Sequence, residues 1–91
     1  MTVKCKILNL FNTTIGRIAI IGFFEDSPPY IGMILLDNKG NTWKIKGLAI
    51  SKKEALDGES HNDYKFIWDC NLEPINHQSS ITKGDFLFYD L

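Results

Sequence analysis

Ninety-one residues, 44% hydrophobic and 12% aromatic, suffice for one small folded domain and argue against a disordered chain. No apolar run approaches the ~20 residues that span a bilayer. The start "MTVKCK" is followed by no signal-peptide core, so a cytoplasmic protein is expected. The net charge of −1 conceals unlike halves, with eight basic and three acidic groups in residues 1–53 against two basic and eight acidic in residues 54–91. Such asymmetry fits a charged binding face, or halves that neutralise each other on folding.

Taken in chain order, the segments read as strands. "VKCKI" alternates Val3, Cys5 and Ile7 against Lys4 and Lys6, the pattern of a half-buried strand. The alternation slips at "LNLF", which predicts a bulge before the turn "NTT". "IGRIAIIGFF" is apolar on both faces and rich in β-branched residues, as in a strand inside a sheet or barrel. "EDSPPY" breaks the pattern, because prolines cannot donate to a ladder. "MILLD" and "TWKIKGLAI" flank "NKGN", a hairpin connection in which Gly40 can take a positive φ. Trp43 and Ile45 face one way along the second of these strands, and Gly47 is placed to bend it.

"SKKEALDG" is the one helical suggestion, with Ser51 and Glu54 at capping-box spacing and Gly58 as a stop. "ESHND" is a loop. "YKFIWDC" alternates again, "NLEPINHQSS" reads as a polar connection, "ITKGD" as a turn and "FLFYDL" as a closing strand. Six short strands predict a single all-β domain over residues 1–91, a small closed barrel that removes its edges, mostly antiparallel. Ile18, Ile20, Ile34, Ile45, Phe66 and Trp68 are among the core candidates, and the inward face of strand two is open because both of its faces are apolar. Cys5 and Cys70, far apart and in strand-like segments, are expected as buried reduced thiols, not a disulfide framework.

Four motifs, in this order, carry a resemblance: "IGRIAIIG", "YIGMILLD", "IKGLAI" and "ITKGDFL". With them the chain resembles, over roughly Val3 to Tyr89, the second β-barrel domain of translational GTPases such as elongation factor Tu. The resemblance implies a barrel of the translation-factor domain 2 type. It also implies a binding style, since the resembled domain holds part of a charged tRNA's acceptor end. Ile18 stands where that family has a second glycine, and no G-x-x-x-x-G-K-[ST] phosphate loop is present, so GTP hydrolysis is not implied.

Arg17 is the only arginine and opens an apolar strand. Its stem can lie on the barrel wall with the guanidinium outside, and a structural carboxylate partner from the acidic half is expected. No C-x-x-C, H-E-x-x-H or H-x3-H spacing marks a metal site, and no paired carboxylates stand out. Cys70 with His77 is the one nucleophile pair conceivable on paper, and an inert buried thiol explains Cys70 better. No cofactor, no metal and no enzymatic activity are expected.

Two binding readings divide the chain between them. An RNA- or tRNA-end-binding barrel would use Lys4, Lys6, Lys44, Lys46, Lys52 and Lys53. Against it stand the single arginine, the negative net charge and strand lysines expected to lack surface aromatics beside them. A protein-binding module would use Asp57, Glu59, His61 and Asp63, in a loop region with four acids over residues 54–63. A small barrel with such a loop could cover a basic active site, as toxin-neutralising immunity proteins do. The protein-binding reading is favoured, with the oligomeric state open.

Overall fold

The computed structural model describes residues 1–14, 16–50 and 63–91. It contains six strands: β1 (Thr2–Thr13), β2 (Gly16–Phe23), β3 (Ile34–Leu36), β4 (Thr42–Ile50), β5 (Phe66–Ile75) and β6 (Phe86–Asp90). They close into a barrel in the order β1-β2-β5-β4-β3-β6, every neighbouring pair antiparallel. The expected six-stranded antiparallel barrel is what forms, and the described residues contain no α-helix. The capping-box segment at Ser51–Gly58 lies outside the described residues.

Local chemistry places the irregularities. The β1–β2 register shifts between Ile7 and Asn9, the bulge foreshadowed by "LNLF". One extra residue there lets Ile7 point into the barrel and Leu8 point outward, and both are fully buried. Leu8 and Ile20 form a small cluster on the outer wall, covered by Tyr64 and Ile67. Gly22 makes room for that cover, because an added Cβ would lie 2.6 Å from Tyr64 Cε1. A second register shift, between Ile45 and Gly47, falls where a bend was expected.

The main core is built from Cys5, Ile7, Ala19, Ile21, Phe23, Leu35, Trp43, Ile45, Cys70, Leu72 and Leu87, with Phe66 and Trp68 packed against it. This corrects the expected core in strands two and three. In β2 the inward face is Ala19, Ile21 and Phe23; Ile20 is buried on the outer wall and Ile18 only partly buried. A strand apolar on both faces gives period two no phase to report, and here the bulky outward residue is sheltered by the Tyr64 ring from just before β5. In β3, Leu35 points in and Ile34 points out, 44% exposed.

A third correction concerns "NLEPI", which continues β5 to Ile75. Pro74 is tolerated because β2 pairs with β5 only as far as Leu72, opposite Arg17. Beyond that point β5 is paired on one side, by β4, and the missing N–H faces the free edge.

The β3–β4 hairpin is organised by Asp37, which is buried. Its Oδ1 accepts the N–H groups of Lys39 and Asn41, each at 2.9 Å. Its Oδ2 accepts Trp43 Nε1 at 3.2 Å and Asn41 Nδ2 at 3.1 Å. Gly40 takes φ +85° to let the chain wrap this carboxylate. Burial alone would raise the Asp37 pKa, but the donors from Asn41, Trp43 and Lys39 outweigh it and hold the carboxyl below its ordinary value.

Candidate functional site

Two surfaces of the barrel carry features a packed β-domain does not need. The first lies where β3 meets β6. β3 is three residues long and shares one paired position with β6, Leu36 opposite Phe88. Period two sends Ile34 and Leu36 outward, so both remain exposed along with Tyr30 and Ile31 from the preceding loop. Tyr30, Ile34 and Leu36 line a groove of about 340 Å³ whose wall includes Tyr89. The Tyr89 hydroxyl is buried and has no hydrogen-bond partner among the described residues. Burial, with the nearby Cys5 and Glu25, pushes its pKa up to about 12.

The flank of this surface holds Lys4. Its Nζ lies 4.7 Å from the centre of the Phe86 ring and 6.0 Å from that of Phe24. The expectation that the lysines lack surface aromatics therefore fails at Lys4: Phe86, on the outer face of β6, is 37% exposed. Lys6 lies two residues along on the same face of β1, directly opposite Phe86, and is half-buried. Lys44 and Lys46 are exposed on β4, and β3 and β6 stand between β1 and β4. Lys52 and Lys53 lie outside the described residues.

On the acidic side, Asp63 is exposed. Asp57, Glu59 and His61 lie outside the described residues.

The second surface is a mouth of the barrel, a cavity of about 510 Å³ between the β1–β2 tip, the β4–β5 pair and the loop after β5. Arg17 stands there as predicted, and its contacts among the described residues are to an amide and a ring. Its Nε approaches Asn12 Oδ1 at 3.4 Å and its guanidinium lies 5.8 Å from the centre of the Trp43 ring. Among the described residues no ion pair holds it. Trp43, fully buried, is fixed below by Asp37 and packed edge-on against His77 at 4.8 Å.

His77 is itself locked. Ser79 N–H donates to Nδ1 at 3.1 Å, so the ring hydrogen sits on Nε2, which donates to the Thr42 carbonyl at 2.6 Å. Asn41 Nδ2 ties the hairpin to this loop through Ser79 Oγ at 3.0 Å. Sequence reasoning missed Asp37 and His77 as organisers. Asp37 begins the segment D-N-K-G-N, and an acid at the first position of a turn was the signal available.

The geometry disposes of the Cys70–His77 pair. His77 uses both ring nitrogens, and Cys70 is buried with its thiol directed to the Trp68 carbonyl. Burial lifts the Cys70 pKa far above the ordinary thiol range, with Cys5 and Asp69 adding to it. Burial also pushes Cys5 up to about 12, against a hydrogen bond to the Leu87 backbone. Both cysteines are free thiols. Among the described residues, no three of His, Cys, Asp or Glu come together as metal ligands, and no helix is long and apolar enough to cross a membrane.

Comparison with family models, with curated proteins and with solved structures finds no match for this chain.

Proposed function

We propose that the chain is a non-enzymatic β-barrel module that acts by binding another protein. The observation that carries this reading is the exposed apolar strip Tyr30, Ile31, Ile34 and Leu36 along the β3–β6 seam. Contiguous apolar surface costs solubility, and in soluble domains it marks sites that a partner covers. The acidic stretch with Asp57, Glu59, His61 and Asp63 supplies charge for a basic partner, and an inhibitor of the immunity-protein kind is the form such a module would take.

The test is retrieval on the immobilised chain from a nuclease-treated lysate of the source cells, with an Ile34→Lys/Leu36→Lys variant alongside. The reading expects one protein retained by the native surface and lost by the variant. Equal retention by both, or recovery of RNA alone when nuclease is omitted, overturns it.

The second reading, RNA or tRNA-end binding by a barrel resembling that of translation factors, rests on Lys4 beside Phe86 and Phe24. A cation next to an exposed ring is the unit of a stacking platform. Lys6, opposite Phe86, adds a second cation there, while Lys44 and Lys46 lie on β4; a chain of net charge −1 with one arginine neutralises few phosphates. Protein binding is the better-supported reading.

A further inference from the structure

We infer that the barrel mouth beside Arg17 is a binding site for the oxyanion of a small molecule, a carboxylate or a phosphate. Three observations carry this. The cavity, at about 510 Å³, lies within the range of small-ligand sites. Arg17 is preorganised, not floppy: the face of its guanidinium is set by Trp43 and its Nε by Asn12. Among the described residues nothing engages its two terminal nitrogens, the edge that matches an oxyanion bidentately.

The floor beneath the guanidinium is equally fixed. Trp43 is held by Asp37 and by the edge of His77, and His77 by Ser79 and Thr42. A rigid supporting layer means that little ordering cost remains when a ligand arrives. Lys46 brings a second cation to the rim, and the Asn71 and Gln78 amides supply further donors. Among the described residues, Glu73 is the one carboxylate at the rim, and no ion pair joins it to Arg17 or Lys46. Two cations against one acid, with neutral donors between, select an anion.

This site lies apart from the apolar seam, so its test does not depend on the protein-binding reading. The ¹⁵N-labelled chain is titrated separately with sodium phosphate and sodium acetate, each against sodium chloride at equal ionic strength. The Arg17 Nε–H and Trp43 Nε1–H signals are followed. Saturable shifts with either oxyanion and not with chloride support the site, and whichever of the two acts at lower concentration identifies the headgroup. Arg17→Gln, which has no Nε–H of its own to follow, should abolish the shift of the Trp43 Nε1–H signal. Lys46→Gln changes an exposed residue, so folding is not at issue, and should weaken binding by about fivefold, the effect of one exposed charge. Shifts that track ionic strength alone, or binding unchanged in Lys46→Gln and Arg17→Gln alike, overturn the proposal. Should Arg17→Gln fail to fold, Arg17→Lys, which keeps the charge and loses the fork, takes its place and must weaken binding.

Discussion

Arg17, Asp37 and Gly22 each hold a position through contacts that a single substitution removes. Among the described residues, the guanidinium of Arg17 rests over Trp43 and beside an amide oxygen, with no carboxylate against it. Arg17→Ala should therefore cost only ~1 kcal/mol, the scale of a partly exposed cation–π contact, read by urea denaturation. Asp37 is the costlier residue. In Asp37→Asn one acceptor becomes a donor facing N–H groups already committed to it, so ~2–3 kcal/mol should be lost. The wild type carries the same information in its pH dependence. The folded carboxyl titrates below its unfolded value of ~3.9, so its stabilisation is complete above that pH and drains away as the pH falls through the folded value. Asp37→Asn should flatten that part of the stability profile. If the variant and the wild type lose stability in parallel below pH ~4, the hairpin network is not what this carboxylate contributes. Gly22→Ala should displace the Tyr64 ring from the outer wall and uncover Leu8 and Ile20.

The strands show which parts of the molecule were readable from sequence. The first halves of β1 and β4 alternate, and the alternating residues Cys5, Ile7, Trp43 and Ile45 are fully buried. The bulge after Ile7 was legible as a slip in that alternation. β2 and β3 are apolar at nearly every position, so pattern could not tell inside from outside, and long-range packing chose Ala19, Ile21 and Leu35. The site was harder to read than the fold. Arg17 was found because it is the only arginine. The mouth around it depends on His77 reaching Thr42, thirty-five positions away, and no local signal reports such a contact. The β3 pair offers a direct check of the assigned faces. Leu35→Ala should cost ~2–5 kcal/mol as a cavity in the core, whereas Leu36→Lys, on the exposed face, should change stability by no more than ~0.5 kcal/mol. Equal effects from the two would mean the faces are assigned wrongly.

At the scale of the whole barrel, closure buries both thiols, so neither Cys5 nor Cys70 should react with a thiol reagent at pH 8 until the protein is denatured. Closure also leaves one seam thinly paired, where β3 meets β6 through a single position, and the exposed apolar strip runs beside it. The account of function stands on that strip. Its most direct test compares the native chain with Ile34→Lys/Leu36→Lys in retrieval from nuclease-treated source-cell lysate, after equal stability of the two has been shown. The account predicts that one protein stays bound to the native chain through the nuclease treatment and is missing from the variant. Retention of the same protein by both chains, or no retained protein with RNA recovered when nuclease is left out, would contradict it.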